Sequence, residues 1–161
     1  MLSLFSRLPK KLTKHLVQGA ALMRNPYTLG VRLIVLNDHG HVLLVRHSYL
    51  PGWYLPGGGV DGGEPMVESA RRELLEEAGI RALEVPRLLG MFLNSEAWGR
   101  DHVGLFEISR WEPADRFLMP SAEIVEAMFF DPAHLPDTVS GATERRLTEY
   151  FQTGLSAGGR W

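Results

Sequence analysis

Apolar and polar residues follow two different periods along this chain. Short runs rich in β-branched and apolar residues predict strands at 27–36, 42–45, 88–93, 103–108 and 124–130. A turn at 38–40 separates the first two runs and predicts that they form a β-hairpin. Apolar residues at helical spacing predict helices over 65–78, ended by Gly79, and over 143–151. This alternation of strands and helices predicts an α/β fold with a mixed β-sheet covered by helices.

Residues 1–26 differ from the rest of the chain and predict a separate N-terminal segment, with the main domain over 27–161. Apolar residues recur there at helical spacing (Leu8, Leu12, Leu16, Gly19 and Met23), which predicts a basic amphipathic helix. Residues 1–37 contain six bases and no acid, whereas 38–161 contain 11 bases and 19 acids, a net charge of −8. The segment could pack on its own domain or form an arm that contacts RNA or a membrane surface.

The composition restricts the chemistry that this chain can perform. It has 17 Lys and Arg, 19 Asp and Glu, six His and no Cys. A disulfide framework, a thiolate metal site and a cysteine nucleophile are therefore excluded, and the His spacing does not favour zinc. No apolar run reaches the ~18 residues of a membrane span, and no convincing signal peptide is present. We therefore expect a cytoplasmic protein without a transmembrane segment.

Three glutamates on the first predicted main-domain helix are candidate metal ligands. Glu73, Glu76 and Glu77 lie within roughly 100° of one helix face. Such a face can be a solvated acidic surface balanced by Arg71 and Arg72, or it can bind a hard cation such as Mg²⁺ or Mn²⁺. The glycine-rich loop at 57–63, just before the helix, favours a phosphate site beside the metal.

The segment from Gly58 to Ile80 reads GGVDGGEPMVESARRELLEEAGI and resembles the Nudix box at every defined position. The resemblance extends over about 27–153 and implies an α/β/α sandwich. It also implies a metal-dependent hydrolase of nucleoside diphosphates linked to another moiety. By position in the box, Glu73, Glu76 and Glu77 would bind Mg²⁺ or Mn²⁺. Glu64 and Arg72 would hold the box by ion pairing, while Gly58 and Gly79 would serve its backbone turns.

The resemblance also implies a general base, or a further metal ligand, outside the box. Glu123 is the first candidate because it precedes an apolar strand and lies six residues before Phe129. Glu126 and Glu107 are the alternatives outside the box, and Glu76 could itself be the base.

Several residues near the box are candidate substrate contacts. Arg46 and His47 could bind phosphate, although a surface salt bridge is an equal alternative for Arg46. The backbone of Gly57, Gly58 and Gly59 could approach a phosphate closely. Trp53 could stack on a base, but core packing is the simpler interpretation of this residue.

The leading functional hypothesis is Mg²⁺-dependent hydrolysis of the pyrophosphate linkage in a small nucleotide. An RNA 5′-end pyrophosphohydrolase that uses the basic N-terminal segment is the second hypothesis, and a non-catalytic nucleotide-binding module is the third. No DNA partner is expected. Because members of the family often dimerise, the resemblance also allows a homodimer.

Overall fold

The structure is a computed structural model that describes residues 27–95 and 99–161. The predicted N-terminal segment, 1–26, lies outside the described residues. Within them, none of the helices is long and apolar enough to cross a membrane.

The described part of the chain contains eight strands and two α-helices. In chain order these are β1 (Thr28–Val35), β2 (Val42–His47), α1 (Met66–Ala78), β3 (Ile80–Ala82), β4 (Arg87–Asn94), β5 (Asp101–Ile108), β6 (Trp111–Pro113), β7 (Ile124–Phe130), α2 (Gly141–Thr148) and β8 (Gly158–Arg160). A π-helical turn, Glu149–Thr153, continues α2. The main sheet has the order β1-β5-β4-β8, and β2-β7 and β3-β6 form two smaller sheets.

The main sheet is mixed, as the sequence predicts. β1 is parallel to β5, β5 is antiparallel to β4, and β4 is parallel to the short β8. The predicted hairpin between the first two strands is wrong. β1 takes β5 as its partner and β2 takes β7, so the two strands belong to different sheets. A bridge between Leu36 and Val42, beside the predicted turn, links the segments that follow β1 and begin β2.

Alternate side chains of β1 enter two cores on opposite sides of the sheets. Val31 and Leu33 pack in the core under α1, which contributes Leu74. Ile34 lies in the other core, which Leu147 of α2 covers. Helices on both sides of the strands give the α/β/α sandwich, which confirms the predicted fold class.

The glycine-rich loop runs along the free edge of β1. Val31 N–H donates to the carbonyl of Gly58, and Val60 N–H donates to the carbonyl of Leu29, both at 2.9 Å. Gly57 has φ +135°, and a Cβ there would lie 2.2 Å from the Val31 carbonyl oxygen. Only glycine fits this position, so the loop can lie directly against β1 before the chain enters α1.

Gly79 ends α1, as the sequence predicts, and it does so in a left-handed conformation. Gly79 has φ 62° and ψ 38°, and its N–H bonds back to the last turn of the helix. A Cβ at this position would also lie 2.3 Å from the backbone of Arg116. Gly79 therefore both ends the helix and permits a close contact with the segment before β7.

Candidate active site

A cleft of about 530 Å³ opens at the end of the main sheet, beside the glycine-rich loop. It brings together the four carboxylates that the sequence singles out as metal ligands or base: Glu73, Glu76, Glu77 and Glu123. The first three come from α1, while Glu123 precedes β7. Residues nearly fifty positions apart therefore share one acidic wall.

Glu77 is the most buried of these carboxylates, with 6% of its surface exposed. Its Oε2 accepts a hydrogen bond from Gly57 N–H at 2.7 Å. Burial raises the pKa of Glu77 to about 8, although the Gly57 hydrogen bond and the charge of Arg32 oppose this rise. A charged Glu77 carboxylate therefore needs positive charge in the cleft to offset its desolvation.

Arg72 joins the glycine-rich loop to α1. Its guanidinium donates to both Glu64 oxygens, at 2.9 and 3.0 Å, and to Glu73 Oε1 at 2.7 Å. It also donates to the Gly59 carbonyl at 2.9 Å and to Glu76 Oε2 at 3.2 Å. The hydrogen bond from Arg72 lowers the pKa of Glu64 to about 2. These contacts keep Glu64 ionised and fix the loop over the helix.

Position 58 requires glycine because a side chain there would collide with a neighbour, not because the backbone angle is unusual. A Cβ at this position would lie 2.5 Å from Glu73 Oε1. The turn that requires positive φ is at the neighbouring Gly57 instead. Gly58 thus lets the Glu73 carboxylate lie directly against the loop.

Glu123 lies outside the box, and Tyr49 holds its side chain by a hydrogen bond. The Tyr49 hydroxyl donates to Glu123 Oε1 at 2.8 Å, and both residues line the cleft. Desolvation, together with this hydrogen bond, raises the pKa of Tyr49 to about 12, so the phenol remains a donor at neutral pH. The ring of Tyr49 lies 5.2 Å from that of His47.

His47 lies behind this pair and is buried. Its Nε2 is 3.8 Å from Glu77 Oε1, and burial lowers its pKa. A neutral imidazole at this place adds no charge to the carboxylate wall. His47 therefore packs in the wall of the cleft rather than acting as a cationic phosphate contact.

The other two candidate bases outside the box, Glu126 and Glu107, are paired with residues that do not line the cleft. Glu126 forms an ion pair with Arg46 at 2.8 Å. Glu107 is ion-paired with Arg87 and accepts a hydrogen bond from the Tyr150 hydroxyl at 2.9 Å. Of the three, Glu123 is the residue that lines the cleft.

Two expected substrate contacts do not reach the cleft. Trp53 is 8% exposed, lies in the core under α2 and packs edge-on against Phe130. Arg46 is ion-paired with Glu126 and lies over the Trp53 ring, 5.8 Å from its centre. The prediction of a base contact at Trp53 is therefore corrected, since a ring inside the core cannot stack on a ligand.

The structure instead places Arg32 in the cleft. Its Nη1 is buried and has no hydrogen-bond partner among the described residues. Its charge opposes the burial that raises the pKa values of Glu73 and Glu77, and it adds to the burial that lowers the pKa of His47. Sequence reasoning missed this residue, although one signal was present: Arg32 is the only charged position in the apolar run 29–36.

The donor atoms of the cleft suit a hard divalent cation, because they are carboxylate oxygens. As placed, no three His, Asp or Glu side chains within 27–95 and 99–161 surround a common point closely enough to hold an ion. In this arrangement Arg72 is ion-paired with Glu73 and Glu76. A cation bound here would take over part of the charge neutralisation that Arg72 provides.

Comparisons with known proteins show which proteins this chain is similar to. A family model described as the NUDIX domain matches residues 26–151. A Bacillus subtilis (strain 168) protein named "Putative 8-oxo-dGTP diphosphatase" is 52% identical over 124 residues, which cover 77% of this chain and 80% of the relative. An RNA pyrophosphohydrolase of Bartonella bacilliformis is 31% identical over 122 residues, covering 62% of this chain and 67% of the relative.

Solved structures show the same fold. A NUDIX hydrolase from Nitrosomonas europaea has a TM-score of 0.67 and 26% identity, with 85% of this chain and 79% of that chain covered. A MutT NUDIX hydrolase from Burkholderia pseudomallei has a TM-score of 0.64 and 25% identity, with 76% and 97% covered. The same fold is thus found in proteins described as NUDIX hydrolases.

Proposed function

The chain belongs to the Nudix family of hydrolases, and from this membership we propose that it converts a purine nucleoside triphosphate to the monophosphate and pyrophosphate. Hydrolysis of a nucleotide pyrophosphate linkage, predicted from the sequence, is confirmed by the family and its named relatives. The non-catalytic alternative is therefore set aside. The observation that carries the finer proposal is the acidic cleft beside the glycine-rich loop, together with a match over 80% of the relative named "Putative 8-oxo-dGTP diphosphatase".

Members of this family use divalent metals, and we propose Mg²⁺ or Mn²⁺ here. Glu73, Glu76 and Glu77 would hold the ion; if Glu76 serves as the base instead of Glu123, Glu123 would take its place as a ligand from the same acidic wall. When bound, the ion neutralises phosphate oxygens and makes the attacking water more acidic. The buried Glu77 supports this assignment, because its desolvated carboxylate is stabilised by a nearby cation.

The substrate phosphates would lie between the carboxylate wall and Arg32. The buried Nη1 of Arg32 is an unused donor, and a phosphate oxygen would satisfy it. The N–H of Gly57 is already donated to Glu77. Arg32, rather than Arg46 or the Gly57 amide, is therefore the phosphate contact that we propose.

Glu123 is our candidate for the general base. Tyr49 holds its Oε1, which leaves Oε2 to take a proton from the attacking water. As the water oxygen bonds to phosphorus, the bridging P–O bond breaks and its electrons leave with the pyrophosphate. Glu76 is the alternative base; its side chain is 59% exposed and also lines the cleft.

A substrate panel tests this proposal. The full chain would be assayed with 8-oxo-dGTP, dGTP, dATP, ADP-ribose and a 5′-triphosphorylated RNA, each with Mg²⁺ and with Mn²⁺. We expect fastest turnover of the two guanine nucleoside triphosphates, with monophosphate and pyrophosphate as products. Absence of turnover of every nucleoside triphosphate with both metals would overturn it.

The RNA in this panel addresses the second candidate function. The Bartonella bacilliformis relative is named an RNA pyrophosphohydrolase, which supports this alternative. Faster turnover of the RNA than of any free nucleotide would favour it. The RNA-binding role of the basic segment, the cytoplasmic location and the homodimer stay predictions of the sequence.

A further inference from the structure

One end of the main sheet places four cleft residues in a row across its strands. The residues are Thr28 of β1, Asp101 of β5, Asn94 of β4 and Trp161, directly after β8. Neighbouring strands lie about 4.8 Å apart, so Trp161 stands roughly 14 Å from β1, across three strand spacings. The cleft therefore extends well beyond the glutamates, which lie on the other side of β1.

Trp161 is fixed at the far end of this row. Its backbone N–H donates to the Leu93 carbonyl at 2.9 Å, and its backbone oxygen accepts from Arg145 at 3.0 Å. Its indole packs edge-on against the buried Phe92, with ring centres 5.8 Å apart. Trp161 is partly exposed and lines the cleft, so a flat ligand there would meet an aromatic side chain that is already held in place.

Asp101, between Trp161 and β1, is held by two side-chain donors. Its Oδ1 accepts from the Thr28 hydroxyl at 2.8 Å, and its Oδ2 accepts from Asn94 Nδ2 at 3.0 Å. Each carboxylate oxygen can accept a second hydrogen bond. Because Asn94 uses its amide nitrogen on Asp101, its Oδ1 is a further acceptor. This part of the cleft thus offers acceptors next to an aromatic ring.

We propose that Trp161, Asn94 and Asp101 form the nucleobase subsite, which takes a base with two adjacent N–H donors, such as guanine through N1–H and its 2-amino group. This inference rests on the proposed hydrolysis of nucleotides. The Asp101 carboxylate disfavours a phosphate at this end, whereas the buried, unpartnered Arg32 Nη1 favours one at the other end. A base stacked on Trp161 and bonded to the acceptors matches both features.

Binding of guanosine monophosphate without metal tests the subsite independently of turnover. The chain has four Trp residues, and the indole N–H signals would be followed by NMR during titration, with Trp161→Phe used to assign the Trp161 signal. We expect the Trp161 signal to shift. Trp111 serves as internal control, because its Nε1 donates to the Leu36 carbonyl and its ring packs on Phe129. A shift of the Trp111 signal but not of the Trp161 signal, or no shift of either, would overturn the proposal.

Two replacements at Trp161 separate stacking from packing. Trp161→Phe keeps a ring on Phe92, and we expect the Kd of guanosine monophosphate to stay within about threefold of the wild-type value. Trp161→Leu keeps an apolar side chain without a ring, and we expect the Kd to rise about tenfold or more. Equal affinities for the two variants, at equal thermal midpoints, would contradict a stacking role.

Asp101→Asn tests how the base edge is recognised. The wild-type chain should bind guanosine monophosphate about tenfold more tightly than inosine monophosphate, which lacks the 2-amino group. Asp101→Asn should lose this preference, while the exposed control Asp115→Asn keeps it. A preference retained in Asp101→Asn would refute the edge contact. Because these assays contain no metal and no hydrolysis, they can fail while turnover succeeds, and the reverse.

Discussion

The amide of Gly57 donates a 2.7 Å hydrogen bond to Oε2 of the buried Glu77. This contact joins the glycine-rich loop to the helix that carries the acidic face. It exists because Gly57 adopts φ +135°, a conformation that L side chains rarely adopt, directly against the Val31 carbonyl. The backbone of the loop and the most buried carboxylate are therefore positioned by the same residue.

Replacement of Gly57 by Ala is expected to lower the stability of the folded protein. A Cβ would lie 2.2 Å from the Val31 carbonyl oxygen, so the loop must move away from β1 and from Glu77. We expect the free energy of unfolding to fall by about 1–3 kcal/mol, measured by denaturant titration. Gly62→Ala is the matched control, because a Cβ there meets open space. An equal loss in both variants would contradict the role of the Val31 contact.

Glu77→Gln is expected to separate activity from stability. The side-chain oxygen of the introduced glutamine can still accept from Gly57. Because burial raises the pKa of Glu77 to about 8, its carboxyl is already largely uncharged at neutral pH without metal, so the thermal midpoint should not fall. Activity with Mg²⁺ should fall by at least about 10–100-fold. Loss of a residue that only supports a metal ligand already lowers activity by this much, and Glu77 is proposed as a ligand itself. Glu68→Gln on the exposed first turn of α1 should leave activity unchanged. A fully active Glu77→Gln protein would contradict the metal assignment.

Tyr49→Phe tests the hydrogen bond that holds Glu123. Loss of the 2.8 Å contact should lower kcat about three- to tenfold with little change in KM, since a bond of roughly 1 kcal/mol is removed from the base. Tyr54→Phe is the control, because the Tyr54 hydroxyl donates to the Pro51 carbonyl instead.

Glu123→Gln should lower kcat by about 10²–10⁴-fold if Glu123 is the base. Tyr49→Phe should then have no further effect in that background, because its effect acts through Glu123. Additive effects of the two substitutions would show that Tyr49 acts through another group.

Arg32→Met is expected to weaken substrate binding. Removal of a charge-assisted contact to phosphate should raise KM for a nucleoside triphosphate by about 10–100-fold, measured by steady-state kinetics. Arg46→Met is the matched control, since Arg46 is paired with Glu126 rather than placed in the cleft. A larger KM effect at Arg46 than at Arg32 would reverse our assignment of the phosphate contact.

The sequence by itself determined the box and the helix that carries it. Helical periodicity is a local property, so the common face of Glu73, Glu76 and Glu77 and the end of the helix at Gly79 follow from neighbouring residues. The motif from Gly58 to Ile80 then identified the family and the α/β/α class. These features lie within 23 residues, so neighbouring residues suffice to predict them.

Only the tertiary structure decided which distant residues complete the cleft. The pattern of the first two strands suggested a hairpin, but pairing of β1 with β5 and of β2 with β7 separates them. With that pairing Glu123 lines the cleft, whereas Glu126 and Glu107 do not, and Glu123 contacts Tyr49, which is 74 residues away in the sequence. It also buries Trp53 in the core and brings Trp161 to the cleft. Strand partners depend on the packing of the whole chain, which local periodicity does not record.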